Sequence, residues 1–236
     1  MAQKLEKVYK ELLPLKVVTF DEIVDKVREI TDSKKSQHIY RKYVKKLVEG
    51  GKLERIRKGL YAVLSLLDTP EKYAPDKFLI ASKIRCDYYL GYHTALEFYG
   101  CAYSHFNEVY IAIKKKDRFD PFQYRGFKFR PVFVQDTSLS VEEKRYLGHN
   151  VKVSSKERTF IDCLERVRYA GGWEESFKSL QGLGGLDFNS IDKTLSSYNN
   201  ALLFRKSGFV LELLQDTSLF YEHFSDRMLN RLHRKI

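Results

Sequence analysis

The run SQHIYRKYVKKLVEGGKLERIRKGLYAV, residues 36–63, decides the fold of the first part of this 236-residue chain. Its first half sets apolar residues at Ile39, Tyr40, Tyr43, Val44, Leu47 and Val48, the recurrence of a helix that buries one face. The spacing predicts a helix over residues 36–49. Gly50-Gly51 then stops it, because glycine enters the left-handed backbone of a helix end without steric cost. The second half reads as two short strands, 52–56 and 60–63, joined through Arg57-Lys58-Gly59 as a tight hairpin.

Working upstream, Leu5, Val8, Tyr9, Leu12 and Leu13 predict an amphipathic helix over 2–13, ended by Pro14. Thr19-Phe20-Asp21-Glu22 is a capping box, in which a hydroxyl and a carboxylate satisfy each other's free amides. The helix it opens buries Ile23, Val24, Val27 and Ile30. Three helices followed by a hairpin with a basic tip is the element order of a winged helix-turn-helix, expected here in residues 1–70.

The polar side of the third helix carries Gln37, Arg41 and Lys45 at i, i+4 and i+8, flanked by His38 and Lys42. Gln and Arg are the side chains that pair bidentately with adenine and guanine edges in the major groove, and lysines beside them neutralise phosphates. The chain has a formal net charge of +11. Between Ser33 and Lys58 there are ten basic residues against Glu49 and Glu54, so most of that surplus lies in one short stretch. The expected partner is double-stranded DNA, an operator of the kind that often contains inverted repeats. The expected contact residues are Lys34, Lys35, Ser36, Gln37, His38, Arg41, Lys42 and Lys45, with Arg55, Arg57 and Lys58 from the hairpin.

Pro70 and Pro75 mark a linker, and residues 72–236 read as a second domain of mixed α+β class with a helical C-terminal half. Strands are expected at 108–113, 127–134 and 150–153. Helices are expected around Phe78–Leu79, at 93–99, at 155–166 behind a Ser154 cap, at 172–180, 189–198 and 201–214, and near Arg231. Glu157, Arg158 and Asp162 form its sharpest charged set, with Arg158 and Asp162 four residues apart on one helix. They read as a surface that opposes another protein or binds a nucleotide, or else as a cap and buried ion pair, with the structural reading favoured.

Chemistry-bearing patterns are sparse. Cys86, Cys101 and Cys163 are odd in number and far apart, which argues against a disulfide framework or thiolate metal site. No metal, cofactor or catalytic residue is expected. A nucleotidyltransferase needs a Gly-Ser turn and an Asp-x-Asp pair, and neither occurs. Glu142-Glu143-Lys144 has the letters of a nuclease Glu-x-Lys, but behind Ser140 it reads as a helix start. The N-terminus lacks the pattern of a signal peptide and no run of about 18 apolar residues occurs, so a cytoplasmic protein is expected.

The stretch YRKYVKKLVEGGKLERIRKGLYAV resembles the helix-and-wing block of the AbiEi family, antitoxins of type IV abortive-infection systems. Further along, YYLGYHTALEFYG, VYIAI, VKVSSKERTFIDCLERVRYAGGWEE and FRKSGFVLELL resemble the second domain of that family in the same order. The resemblance spans about residues 18–214. It implies transcriptional autorepression of a toxin–antitoxin operon. It also implies that the second domain opposes a nucleotidyltransferase-like toxin without a stable complex, with Glu157, Arg158 and Asp162 as candidates for that surface. Two alternatives stand beside it: a ligand-responsive winged-helix regulator, and a nucleic-acid-processing enzyme targeted by a winged helix.

Overall fold

A computed structural model describes residues 2–31, 33, 35–65 and 75–234. The chain divides into two compact units, residues 1–86 and 87–236. The class is mixed α+β, with a helical C-terminal region.

The first unit begins with α1 (Ala2–Leu12), which buries Val8, Tyr9 and Leu12. A turn containing Pro14 leads to β1 (Val17–Thr19), a strand too short for the sequence reading to find. The capping box forms as expected and opens α2 (Phe20–Ile30): Thr19 Oγ1 accepts from Glu22 N at 3.2 Å, and Glu22 Oε2 accepts from Thr19 N at 2.8 Å. The third helix, α3, runs through Ser36–Ile39, a widened π-type stretch Tyr40–Val44, and Lys45–Glu49. Then β2 (Leu53–Arg57) and β3 (Leu60–Val63) form the hairpin, with Gly59 at φ +80° in its turn. The sheet order β1-β3-β2 is antiparallel throughout, with Val18 opposite Tyr61 and Arg55 opposite Tyr61 from the other side.

Two residues assigned to the buried face of α3 are not buried: Tyr40 is 43% exposed and Val48 38%. The cause is the widened stretch, where Lys45 N donates to Tyr40 O, an i→i+5 bond that takes an extra residue into the turn. The apolar stripe therefore narrows to Ile39, Tyr43, Val44 and Leu47, all packed on Val8, Tyr9, Ile23 and Val27.

The expected linker, residues 68–75, lies outside the described residues except for Pro75, which is buried. Helix α4 (Lys77–Ser82), expected in the second domain, belongs to the first unit. Asp76 caps it, and Lys83 just past its end pairs with Glu22 of the capping box. The compact boundary is therefore at Cys86 rather than near residue 70.

The second unit holds a six-stranded sheet: β4 (Tyr89–Leu90), β5 (Glu108–Ile113), β6 (Phe122–Tyr124), β7 (Phe127–Phe133), β8 (Val141–Tyr146) and β9 (His149–Ser154). Its order is β6-β7-β5-β4-β9-β8, with β5–β7 and β4–β9 parallel and the other pairs antiparallel. The helices are α5 (Tyr92–Phe98), α6 (Lys156–Glu165), α7 (Trp173–Gln181), α8 (Phe188–Tyr198), α9 (Ala201–Gln215) and α10 (Asp226–Arg234). They share a core that includes Phe160, Ile161, Leu180, Leu195, Leu211 and Phe224.

The structure departs from the local sequence pattern at two places. Glu142-Glu143-Lys144 lies in strand β8, not a helix, because Leu147 and Gly148, both at positive φ, close a tight hairpin onto β9. Its charges, mostly exposed, sit on a sheet edge, where they discourage pairing with another chain. The cap of α6 is Ser155, whose hydroxyl accepts from Arg158 N at 3.2 Å. Ser154 is instead buried and within 2.7 Å of the Thr159 hydroxyl.

Leu47→Ala is expected to destabilise the protein by about 2–5 kcal/mol, the cost of a cavity at a fully buried site. Val48→Ala, one residue along the same helix, should stay within about 1 kcal/mol. Equilibrium denaturation of the two variants checks the difference.

Candidate nucleic-acid interface

The face of α3 opposite its buried stripe is a consequence of that burial. Once Ile39, Tyr43, Val44 and Leu47 are fixed in the core, Gln37, His38, Arg41 and Lys45 must point outward, and all four are exposed. Lys35 and Ser36 at the helix start are exposed as well, and Lys42 is half-buried. From the hairpin, Arg55 and Lys58 are exposed and Arg57 is half-buried beside a bulge between Arg55 and Arg57. Lys34 lies outside the described residues. The expected basic set thus gathers on α3 and the adjoining hairpin, with Lys34 the one member not described.

The hairpin is anchored to α2. Phe20 N donates to Gly59 O at 2.8 Å, tying the hairpin turn to the start of α2. Between α3 and the hairpin lies an open groove of about 520 Å³, lined by Phe20, Ser36, Gln37, Tyr40, Arg41, Lys58, Gly59 and Tyr61. The Tyr40 ring meets Phe20 edge-on, with centroids 6.1 Å apart. Burial pushes the Tyr61 phenol up from its ordinary pKa, and neighbouring Tyr40 adds to the shift.

A second opening, about 500 Å³, borders the other flank of α3 and is lined by Lys4, Thr31, Ser33, Lys35, His38, Lys42 and Tyr43. Lys4 escaped the sequence reading because it belongs to the polar face of α1, far from the basic run. One member of the basic stripe has an internal competitor: Lys45 Nζ lies 3.5 Å from Glu49 Oε1. Both groups are well exposed, so the pair is weak and a phosphate can displace the carboxylate.

In the second unit, Arg158 and Asp162 are 2% and 1% exposed, so they do not form a surface. Arg158 Nε is 3.5 Å from Asp162 Oδ2, and the guanidinium stacks 4.1 Å from the Tyr89 ring centroid. Arg158 also donates to the carbonyls of Leu139 and, at 2.7 Å, Asp136. Asp162 accepts from the Tyr89 hydroxyl at 2.9 Å and from that of Tyr198. Burial pushes the Asp162 carboxyl above the usual carboxylate range, against the opposing pull of Arg158, Tyr198 and Tyr89. The network joins β4, α6 and α8 to the 136–139 turn. It also forms one wall of a cavity of about 170 Å³, whose lining includes Gln135, Glu165, Arg166 and Ser197. Glu157 stands apart, half-buried, accepting from Asp187 N at 3.2 Å.

A second buried polar cluster carries no recognisable sequence motif. His93 is fully buried and stacked 3.8 Å from Phe106, with Nε2 3.1 Å from Glu175 Oε1 and Nδ1 3.8 Å from Glu97 Oε2. Glu175 also accepts from Ser104 N at 2.9 Å. Burial alone would raise the Glu175 pKa, but the bonds from Ser104 and His93 outweigh it and hold the carboxyl below its ordinary range. This cluster fastens the loop between α5 and β5. Among the described residues, no group of three or more His, Cys, Asp or Glu side chains could hold a metal ion. Glu142 and Lys144 pair with each other at 2.5 Å on the exposed sheet edge. No described helix is long and apolar enough to cross a membrane.

No protein-family model and no curated protein matches the chain. Among solved structures it is similar to the crystal structure of the RV2827C protein from Mycobacterium tuberculosis, with a TM-score of 0.63 and 12% identity. The match covers 98% of this chain and 80% of that one. At such low identity the likeness speaks for the fold alone.

Removing one partner of the buried pair leaves the other charge stranded. Asp162→Ala is expected to cost about 3–5 kcal/mol. Glu157→Ala, which loses one partly exposed hydrogen bond, should cost about 1 kcal/mol. Urea unfolding of the full-length variants measures both.

Proposed function

We propose that this chain is a sequence-specific DNA-binding repressor of the AbiEi antitoxin type, with a winged helix-turn-helix as its first unit. The observation that carries the reading is the exposed basic face of α3 beside the exposed Arg55 and Lys58 of the hairpin, on a scaffold with winged-helix element order. Helix α3 enters the major groove, where Gln37 and Arg41 reach base edges, and Lys42 and Lys45 meet phosphates. The hairpin rides on the neighbouring backbone, where Arg55, Arg57 and Lys58 supply cations. Like charges gathered at this density repel one another, and an anionic polymer offsets that cost.

The regulatory part of the proposal rests on the family resemblance. The protein represses its own toxin–antitoxin operon in the cytoplasm, and its second unit opposes a nucleotidyltransferase-like toxin without a stable complex. The burial of Arg158 and Asp162 changes how they serve that role: they hold the 136–139 turn and α8 in place, and the opposing surface is made by what they support.

A second reading, a ligand-responsive regulator, is favoured by one observation. The 170 Å³ cavity of the second unit is lined by Arg166, Glu165 and Gln135, groups able to orient a small polar molecule.

Arg41→Ala is expected to cost about 1–3 kcal/mol of DNA binding and to relax preference at one base position. Lys58→Ala should weaken all duplexes alike and lower the salt dependence by about one ion. Mobility shifts on selected and scrambled duplexes at several salt concentrations separate the two outcomes. Equal, sequence-blind losses from both changes would sink base reading by α3. Co-expression with a neighbouring nucleotidyltransferase-like gene tests the antitoxin reading: the Arg41→Ala protein, impaired in repression, should still protect growth. Loss of protection in step with DNA affinity would place the activity in repression alone.

A further inference from the structure

Gln37 and Tyr40 are three residues apart on α3, neighbours on one helix surface. Gln37 is exposed, and Tyr40 is 43% exposed because the π-type stretch begins there. Together they line the groove between α3 and the hairpin, whose floor is aromatic, with Phe20 and Tyr61, and whose rim carries Arg41 and Lys58. The Tyr40 ring touches Phe20 only by its edge, so the packing leaves apolar surface in the middle of the basic face. The exposed part of the ring is free to be covered by an apolar group of a partner, and removing that surface from water favours association. Duplex DNA presents one such group on its major-groove edge, the 5-methyl of thymine. The same A·T pair offers adenine N6 and N7, the partners a glutamine side chain takes bidentately.

We infer that Tyr40 is a specificity-determining contact for the 5-methyl group of thymine, and that with Gln37 it reads an A·T pair. The inference rests on the proposed DNA binding and adds the base chemistry recognised. Gln37 fixes the purine by hydrogen bonds, Tyr40 buries the methyl group against its ring, Arg41 reaches a neighbouring base edge, and Lys58 holds a flanking phosphate.

Replacing thymine by deoxyuridine removes only that methyl group and keeps base pairing, which makes the test selective. The full chain is used to select a preferred duplex from a random pool, and each thymine of that duplex is then replaced singly by deoxyuridine. Burial of one methyl group corresponds to roughly fourfold in affinity. The expected result is that loss at one or two positions, with little change elsewhere. Tyr40→Ala and Tyr40→Ser should bind the thymine and uracil duplexes equally, while Tyr40→Phe keeps the difference. If every uracil duplex binds the unaltered protein as tightly as its thymine parent, the methyl contact is wrong while DNA binding stands. Methyl sensitivity that survives in both Tyr40→Ala and Tyr40→Ser also overturns it. A random pool from which no duplex is enriched overturns the DNA-binding reading and the inference with it.

Discussion

Everything proposed for the first unit depends on the packing of four side chains, Ile39, Tyr43, Val44 and Leu47, into a core made by α1, α2 and the hairpin. A 14-residue helix with this many like charges has little reason to hold in water on its own, since isolated helices of that length are marginal. Burial of the stripe supplies the stability, and in doing so fixes which residues face outward. The cations are thus placed by the apolar residues, not by their own interactions. Folding energy is spent holding Arg41, Lys42 and Lys45 near one another, which favours an arrangement whose partner is a polyanion.

The second unit answers to a different constraint. Burying an arginine and an aspartate is costly unless each finds partners for its remaining donors and acceptors. Here Arg158 reaches two backbone carbonyls and a tyrosine face, and Asp162 takes two tyrosine hydroxyls as well as the guanidinium. Arg158 Nε makes no hydrogen bond of its own, but its terminal nitrogens and the Asp162 carboxylate are paired, and that pairing favours one arrangement. It fixes the course of the 136–139 turn, a segment with little apolar content of its own. The Glu97–His93–Glu175 cluster does the same for the loop before β5, so two irregular segments are fastened by buried charge.

Much of the fold was legible in the sequence, and the failures share a cause. Helices with strong periodicity, such as α1 and α2, emerged close to their observed ends, as did the long apolar α9, the Thr19–Glu22 capping box and strand β5. Short or solvent-facing strands did not. Strand β1 is three residues long, and β4 is two, so neither has room for an alternation to show. Strand β8 is built from Glu, Glu, Lys and Arg, residues of good helix propensity, and only the Leu147-Gly148 turn commits it to pairing. The exposed basic face was legible because charge and period coincide in residues 36–58. Lys4 was not, since its place beside Lys35 and Lys42 is set by tertiary packing. The Arg158–Asp162 pair was legible as an i, i+4 pair, but its tyrosine partners, 73 and 36 residues away from Asp162, were not.

The misplacement of Tyr40 is the most informative of these differences. A regular helix through residues 36–49 would put Tyr40 beside Tyr43 and Val44 on the apolar face, and local rules alone favour that outcome. The structure gives up regular i→i+4 bonding over Tyr40–Val44 and leaves the ring partly in water. Neither change improves the core, which is complete without it. Departures from local consistency that bring no packing gain are characteristic of functional positions, and widened helical turns occur often at such positions. That the departure begins at Tyr40, between Gln37 and Arg41, where the helix faces the groove beside the hairpin, ties an irregularity of the fold to the surface proposed to meet DNA.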